Sequence, residues 1–242
     1  MSASTRLYTV DVFDTILLRG RESERRRMRW IAERVAEAIR LQGYARMAAE
    51  ILNARIDAQA IAYGALRIAG DNGDVKLSHI HALQLLALGL PQSLQPLVTE
   101  TEIAVDSGAL SLNARLVRRL EGLRDAGARV VAVSDTYYSG EELRRLLRSH
   151  GAERAFDAVY ASADFGATKK SGRLFPLVLE AEGVEPKDVL HLGDDRLADL
   201  DMPKAKGLAA QWAPRPWRVR LLRKVDALWQ RARPLAPNWG SP

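Results

Sequence analysis

The sequence of 242 residues contains no cysteine and no long apolar run. Without cysteine, disulfides, thiolate metal sites and thiol catalysis are excluded, so any bound metal must be held by oxygen or imidazole ligands. No apolar stretch approaches the roughly 18 residues that span a bilayer, and the first ten residues lack the charged start and apolar centre of a signal peptide. We therefore expect a cytoplasmic protein.

Acidic residues are scarce beyond position 212, and this scarcity explains the net charge of +6. From Ala213 onward the chain carries seven basic residues and one acid, Asp226, which accounts for the whole excess. The first 212 residues are close to neutral, so the high isoelectric point belongs to a tail. No nucleic-acid-binding motif accompanies this charge, and we do not expect a nucleic acid as a partner.

Strand and helix patterns alternate in two parts of the chain that a helical block separates. Residues 7–13 form an apolar, β-branched run typical of a buried strand, and residues 107–212 alternate strands with helices. Such alternation predicts an α/β fold, with a Rossmann-like parallel sheet and helices on both faces, plus an inserted all-α domain. The predicted divisions are 1–19 and 107–212 for the core, 20–106 for the insert, and 213–242 for a basic, Trp-rich tail.

Polar side chains follow four of the predicted strands or their loops. A single aspartate after an apolar strand is more often a cap or turn residue. Four clusters in order are harder to explain in that way, because the carboxyl ends of parallel strands meet at one edge of the sheet, where ligands bind. The clusters are Asp11 with Asp14 and Thr15; residues 134–136; Lys169 with Lys170; and residues 193–195 with Asp199.

These clusters resemble the four motifs of the haloacid dehalogenase (HAD) superfamily of hydrolases. Residues 8–15 are similar to motif I, 131–135 to motif II, 169–175 to motif III and 192–199 to motif IV, so the likeness covers residues 6–212 in order. The helical insert stands where the family has its type-1 cap. The Asp-Val-Phe-Asp-Thr and Ser-Asp-x-Tyr segments also resemble bacterial HAD proteins that are encoded with polysaccharide-forming glycosyltransferases.

The resemblance implies a Mg²⁺-dependent phosphatase. Asp11 would be the nucleophile that forms an aspartyl-phosphate, Lys169 would neutralise charge, and Ser134 would hold the phosphoryl oxygens. Mg²⁺ would be held by Asp11, Asp194 and the backbone carbonyl of Phe13. The supporting residues would be Asp14, Thr15, Asp135 and Asp199. The substrate would be a small phosphorylated metabolite, such as a sugar phosphate or a nucleotide-like compound, and the motifs do not say which.

Phe13 departs from the phosphatase pattern that the resemblance implies. Phosphatases of the family usually carry a general acid two residues after the nucleophile, and general acid–base catalysis contributes roughly 10²–10⁴ in rate. Asp14 or Asp135 would then serve as a substitute acid, or the leaving group would need no proton. Two further hypotheses stay open: a dehalogenase, since that branch of the family has an aromatic residue at this position, and a degenerate interaction module linked to surface-polysaccharide assembly.

The tail contains one amphipathic helical pattern. Its apolar stripe consists of Trp217, Leu221, Val225, Leu228 and Trp229, while most of the basic residues lie elsewhere on the helix. Such stripes pack on their own protein or on a partner protein more often than on lipid, so that packing is the first expectation. Peripheral attachment to a membrane surface is the second.

Overall fold

A computed structural model describes residues 7–232, and in it the strands form two sheets. Five parallel strands make the larger sheet in the order β5-β4-β1-β6-β7, while β2 pairs with β3 in a separate ribbon. The strands are β1 (Leu7–Val10), β2 (Leu17–Arg19), β3 (Leu110–Leu112), β4 (Arg129–Ser134), β5 (Ala158–Ala161), β6 (Val189–Gly193) and β7 (Ala209–Trp212).

The α-helices fall into a first group before β3 and a second group that alternates with the strands of the larger sheet. They are α1 (Glu24–Arg40), α2 (Ala48–Ile68), α3 (Leu77–Ala87), α4 (Gln95–Gly108), α5 (Ala114–Asp125), α6 (Gly140–Ser149), α7 (Ser162–Phe165), α8 (Leu174–Glu182), α9 (Met202–Ala205) and α10 (Trp217–Ala232). The parallel sheet with helices on both sides confirms the predicted α/β fold class. The pairing of β2 with β3 was not predicted.

Strand β1 lies at the centre of the larger sheet and positions the residues that follow it. It pairs with β4 on one side, where Val10 is opposite Ala132, and with β6 on the other, where Val10 is opposite Leu192. All three strands run in the same direction. The residues immediately after β1, at the end of β4 and after β6 therefore lie along one edge of the sheet.

The contacts of the chain group its residues into two compact units. Within the described residues, a sheet unit comprises 7–19, 69–76 and 111–215, and a helical unit comprises 20–68, 77–110 and 216–232. This grouping differs from the predicted divisions, because 69–76 lies with the sheet and 216–232 with the helices. Residues 1–6 of the predicted core and 233–242 of the predicted tail lie outside the described residues.

Segment 69–76 joins the sheet unit through its polar side chains. Asp74 accepts a hydrogen bond from the hydroxyl of Ser162 (2.6 Å), and Asp71 accepts one from the guanidinium of Arg173 (2.5 Å). These partners follow β5 or precede α8, about 90 to 100 positions later in the chain. These long-range contacts explain why this short polar segment, although it lies between two helices of the helical unit, belongs to the sheet unit.

The helical unit has an apolar core and a buried polar cluster. Ile31, Val35, Ile51 and Leu85 belong to the core that α1, α2, α3 and α4 enclose. The buried polar cluster consists of Arg55, Glu102 and His81: the guanidinium of Arg55 donates twice to Glu102 (2.8 and 2.9 Å), and His81 Nε2 is 2.9 Å from the same carboxylate. Buried charges of both signs therefore neutralise one another across three helices.

Helix α10 is the described part of the predicted tail, and it packs against α1 through polar groups. Asp226 accepts a hydrogen bond from the backbone of Ser23 (2.8 Å), and the carbonyl of Gln230 accepts one from Arg29 (2.9 Å). The side chains of the apolar stripe are all half exposed or more. Within residues 7–232, no helix is both long and apolar enough to cross a membrane.

Candidate active site

Asp11 lies just beyond the carboxyl end of β1 and is almost fully buried. Its backbone N–H donates to the carbonyl of Leu192 in β6 (2.9 Å), so the sheet sets its position. One carboxylate oxygen accepts a hydrogen bond from Lys169 Nζ (2.6 Å), and the other accepts one from the hydroxyl of Thr15 (3.2 Å). Burial raises the pKa of Asp11 to about 7 against the opposing effect of Lys169. The carboxylate is thus held in one orientation at the sheet edge.

Lys169 bridges two carboxylates inside the sheet unit. Its ammonium nitrogen lies 2.6 Å from Asp11 and 2.6 Å from Asp199. Burial would lower the pKa of Lys169, but these two carboxylates outweigh it and hold the pKa well above its usual value. Asp199 is also hydrogen-bonded to His191 Nε2 (3.1 Å), whose other ring nitrogen meets the hydroxyl of Thr9 (2.8 Å). This chain of contacts fixes the ammonium group beside Asp11.

Asp14 forms the turn that follows the first strand. Its φ of +64° is in the left-handed region, which few residues other than glycine occupy. Its N–H donates to the carbonyl of Leu17 (2.8 Å), and its carboxylate accepts from the backbone of Arg19 (3.1 Å) and lies 3.0 Å from Arg215 Nη1. Asp14 is therefore engaged by the turn and by two arginines, which leaves it poorly placed to serve as a substitute acid.

Phe13 fills the position two residues after Asp11 with an apolar ring. The side chain is buried, its ring centre is 6.1 Å from that of Tyr138, and the guanidinium carbon of Arg19 lies 4.2 Å above the ring. Stacking of a guanidinium on an aromatic face is favourable. The position where a general acid would stand is thus occupied by a packed side chain.

Two buried serines at neighbouring strand ends differ in their hydrogen bonding. Ser134 ends β4, and its hydroxyl has no hydrogen-bond partner among the described residues. Ser162 follows β5, and its hydroxyl accepts from the backbone of Thr136 (2.8 Å) while it donates to Asp74 (2.6 Å). A buried hydroxyl without a partner costs free energy. Ser134 is therefore free to hydrogen-bond an oxygen of a ligand.

Asp135 holds the backbone of the segment that carries the lysine. Its two carboxylate oxygens accept hydrogen bonds from the backbone N–H groups of Lys169 (2.6 Å) and Lys170 (3.2 Å). Burial raises the pKa of Asp135, and the charge of Lys169 opposes that shift. Because both of its oxygens face this segment, Asp135 positions Lys169.

Asp194 follows β6 and is paired with an arginine. Its carboxylate accepts a hydrogen bond from Arg215 Nε (2.5 Å), and its backbone carbonyl accepts one from the indole N–H of Trp212 (2.8 Å). Burial raises the pKa of Asp194, while Arg215 acts in the opposite direction. Since Arg215 also contacts Asp14, one guanidinium joins the acidic residues that follow β1 and β6.

A π-helical turn, Arg196–Asp201, brings Asp199 into the site. Asp195 caps this turn by accepting hydrogen bonds from the backbone of Leu197 and Ala198, and its own N–H donates to Asp199 (2.9 Å). Gly193 is required beside it, because a Cβ there would lie 2.3 Å from the carboxyl carbon of Asp199. Single π-helical turns of this kind are frequent at functional sites.

One oxygen from each of Asp11, Asp194 and Asp199 lies within 4.8 Å of the other two. Both oxygens of Asp199 already accept hydrogen bonds, from Lys169 and His191 on one side and from the backbone of Asp195 on the other. Both oxygens of Asp11 are also hydrogen-bonded, to Lys169 and Thr15, so hydrogen bonding does not exclude any of the three carboxylates as a ligand. Together the three could hold a metal. Carboxylates are ligands that a hard cation such as Mg²⁺ prefers.

The residues predicted from the sequence lie on this sheet edge or in the loops beside it. The contacts join Asp11, Thr15, Lys169 and Asp199 directly, link Asp135 to the backbone of Lys169, and place Asp14 and Asp194 on the same arginine. That arginine, Arg215, was not predicted, because its charge was counted with the basic tail. Its place directly after the last strand, β7, is the signal that could have identified it.

The sequence model of the haloacid dehalogenase-like hydrolases matches residues 5–207 of the chain. No curated protein matches the chain. The matched range contains every strand except β7, and all the residues of the site except Trp212 and Arg215.

Three solved structures illustrate the likeness of fold. A HAD family enzyme from Bacteroides thetaiotaomicron, in complex with magnesium and inorganic phosphate, is 13% identical over 88% of this chain and 98% of its own, with a TM-score of 0.55. The L-2-haloacid dehalogenase from Xanthobacter autotrophicus is 17% identical over 91% and 82%, with a TM-score of 0.55. A magnesium-bound HAD-hydrolase from Bacillus subtilis is 17% identical over 86% and 88%, with a TM-score of 0.54.

Proposed function

The chain belongs to the haloacid dehalogenase-like hydrolases, and within this family we propose that it hydrolyses a phosphoester or phosphoanhydride with Asp11 as the nucleophile. The observation that carries the proposal is the cluster of Asp11, Asp194 and Asp199, whose oxygens lie within 4.8 Å of one another. Such a cluster suits a divalent cation, which phosphoryl transfer uses to offset the charge of the phosphate. Displacement of a halide has no such need.

The residues of the cluster fit Mg²⁺. All the side-chain oxygens that could bind the ion belong to carboxylates, and burial raises the pKa of Asp11 to about 7 against the opposing effect of Lys169. Asp11, Asp194 and the backbone carbonyl of Phe13 would hold the ion. When bound, Mg²⁺ supplies charge neutralisation between nucleophile and phosphoryl group. Arg215 must share Asp194 with the ion or release it, because it occupies one oxygen of that carboxylate.

Each step falls to a residue of the site. Asp11 attacks the phosphorus atom through the carboxylate oxygen, the bond to the leaving group breaks, and an aspartyl-phosphate remains. Lys169, fixed by Asp199, keeps its positive charge beside the nucleophile throughout. The hydroxyl of Ser134 donates to a phosphoryl oxygen, which gives this buried group the partner that it lacks. Water then hydrolyses the aspartyl-phosphate and restores Asp11.

The packed ring of Phe13 favours a substrate whose leaving group needs no proton. Asp14 and Asp135 are engaged by arginines and by the backbone of Lys169, and neither is placed to donate a proton. The leaving group of a phosphoanhydride, as in a nucleotide, or of an ester of an acidic alcohol departs as a stable anion. We therefore rank anhydrides and activated esters before simple alcohol phosphates.

A dehalogenase is the second candidate, and two observations favour it. Phe13 matches the aromatic residue of that branch, and Arg215 already supplies a positive charge at Asp194. The two candidates differ in their need for metal. Removal of divalent cations with EDTA should abolish a phosphatase activity and should leave dehalogenation of a 2-haloacid unchanged.

The test is phosphate release from nucleotides, pyrophosphate, p-nitrophenyl phosphate and sugar phosphates, with and without Mg²⁺. Sugar phosphates enter the panel because residues 11–15 and 134–137 resemble HAD proteins encoded with glycosyltransferases. Asp11→Asn should abolish Mg²⁺-dependent release, and the exposed Asp201→Asn should not alter it. An Asp11→Asn enzyme that keeps full turnover would overturn the assignment of the nucleophile. If the native chain hydrolysed none of these phosphates and no 2-haloacid, the result would favour the degenerate interaction module.

A further inference from the structure

Helix α10 packs on the helical unit with its polar side. Asp226 accepts a hydrogen bond from the backbone of Ser23 (2.8 Å) and forms an ion pair with Arg26. The carbonyl of Gln230 accepts a hydrogen bond from Arg29 (2.9 Å), and the side chain of Gln230 is buried. Polar contacts thus hold one face of the helix against α1, which is the reverse of the usual orientation of a surface helix.

The opposite face of α10 is apolar and exposed. The exposed fraction of its large apolar side chains ranges from 50% for Leu222 to 64% for Leu228. At 3.6 residues per turn, these side chains lie within an arc of about 140°. They are Trp217, Leu221, Leu222, Val225, Leu228 and Trp229. A contiguous apolar face of this kind on a protein surface marks a site of interaction.

Positive charge lies along the apolar face. Arg220, Lys224 and Arg231 are exposed and follow one border of the arc, and the guanidinium of Arg218 lies 5.6 Å from the ring centre of Trp217. The only acid of the helix, Asp226, is on the opposite side and is neutralised there. The exposed side of the helix is therefore apolar and basic, without an acidic residue.

We propose that α10 binds an anionic lipid surface, with its apolar face among the acyl chains and its basic residues at the headgroups. An apolar arc bordered by cations is the composition of helices that lie in the membrane interface. Trp217 and Trp229 lie near the two ends of the arc, and tryptophan is enriched at the interface between membrane and water. Anionic lipids complement the basic border. Two copies of the same helix, by contrast, would bring like charges together.

The polar contacts with α1 give the proposal a specific geometry. Because Asp226 and Gln230 bind the helical unit, the apolar face points outward in the free protein. The helix is already formed and oriented, so it does not have to fold when it meets the lipid. The chain therefore associates with the surface and does not span it.

The proposal is tested by flotation of the full chain with vesicles of phosphatidylcholine, alone or with one third phosphatidylglycerol. We expect binding to the anionic vesicles at low salt and at least tenfold weaker binding to the neutral ones. Leu221→Glu/Leu228→Glu should lose that binding, while Leu86→Glu, which alters an equally exposed leucine on α3, should keep it. Arg220→Gln/Lys224→Gln should weaken binding by about fivefold for each charge removed.

Three results would overturn the proposal. One is the absence of binding to anionic vesicles at low salt by the native chain. The second is equal loss of binding in Leu86→Glu and in the double glutamate variant. The third is a dimer in sedimentation analysis that the double glutamate variant dissociates, because the face would then be covered by a second copy. Circular dichroism of each variant verifies that the fold is retained, as expected for exposed positions.

Discussion

At the scale of single residues, Ser134 and Ser162 show how two similar buried hydroxyls serve different purposes. Within residues 7–232 the hydroxyl of Ser134 has no hydrogen-bond partner, whereas that of Ser162 is hydrogen-bonded to Thr136 and Asp74. Ser134→Ala should not lower the free energy of unfolding, since no native hydrogen bond is lost and a buried hydroxyl without a partner is removed. It should lower kcat/KM about tenfold or more, since a donor to the phosphoryl group is removed.

Ser162→Ala is the matched control. It should lower the free energy of unfolding by about 1–3 kcal/mol, because the buried partners of Ser162 lose their hydrogen bonds. Urea unfolding and kinetics of both variants measure the contrast. Equal destabilisation by the two substitutions would show that the hydroxyl of Ser134 has a structural role instead.

Under the proposed function, Phe13 limits the site to leaving groups that need no proton. Phe13→Asp introduces a carboxyl group two residues after Asp11 and should raise kcat on alcohol phosphates by about a hundredfold, the lower end of the range for general acid catalysis. Phe13→Asn is the control, since it removes the same ring but cannot donate the proton. The measurement is the pH dependence of kcat for both variants. If kcat of Phe13→Asp were no higher than that of Phe13→Asn at any pH, the lack of a general acid would not explain slow turnover of alcohol phosphates.

The sequence identified most of the residues of the site but not their partners. Asp11, Lys169 and Asp199 follow strands or loops whose order along the chain predicts one common edge, and the structure joins them at 2.6 Å. Arg215 belongs to the same edge, but its neighbours in sequence are basic and proline-rich, so composition assigned it to the tail. Whether the hydroxyl of Ser134 has a hydrogen-bond partner depends on which residues pack around it in three dimensions, and no local sequence pattern gives that information.

At the scale of elements, the buried cluster of Arg55, Glu102 and His81 joins three helices and should govern the acid stability of the helical unit. Burial would raise the pKa of Glu102, but Arg55 and His81 outweigh it and hold the pKa far below its usual value. A lowered carboxyl pKa stabilises the folded state above the ordinary glutamate value of about 4.3. That contribution is lost as the pH falls further towards the folded-state pKa.

Glu102→Gln should therefore lower the free energy of unfolding by about 3–5 kcal/mol at pH 7, because Arg55 keeps its buried charge without a carboxylate. The difference in the free energy of unfolding between this variant and the native chain should become smaller below about pH 4, where the glutamate of the unfolded chain becomes protonated. Urea unfolding at several pH values, with the exposed Glu33→Gln as control, measures this. A difference that stays constant down to pH 2 would contradict the assignment.

Periodicity predicted most elements and left out those that depend on tertiary contacts. The alternation of apolar segments with helical patterns predicted the parallel sheet, since buried strands and amphipathic helices differ in period. No periodic pattern distinguishes the π-helical turn Arg196–Asp201 from an ordinary helix, although this turn carries Asp199, which contacts Lys169. Helix α10 shows the same limit, since amphipathicity defines an apolar face without stating what covers it.

At the scale of the whole molecule, the chain passes between its two units five times, after residues 19, 68, 76, 110 and 215. Segment 69–76 is the shortest of these excursions, and Asp74 anchors it through Ser162. Asp74→Ala removes this charge-assisted hydrogen bond and should increase the rate of tryptic cleavage after Lys76 about tenfold, because cleavage follows the population of the detached segment.

The control for this segment is the exposed Asp57→Ala on α2, which should leave the rate of cleavage unchanged. Mass spectrometry of timed digests locates the cut. If the two variants were cleaved at the same rate after Lys76, the contact with Ser162 would not be what retains the segment.

The central position of β1 also bears on the order in which the protein is made. Strand β1 is synthesised before its partners, since β4 and β6 are complete only after Ser134 and Gly193 have been added. The contacts that join Asp11, Lys169 and Asp199 can form only after residue 199 has been added. A product of translation that ends before residue 199 therefore carries Asp11 without this arrangement.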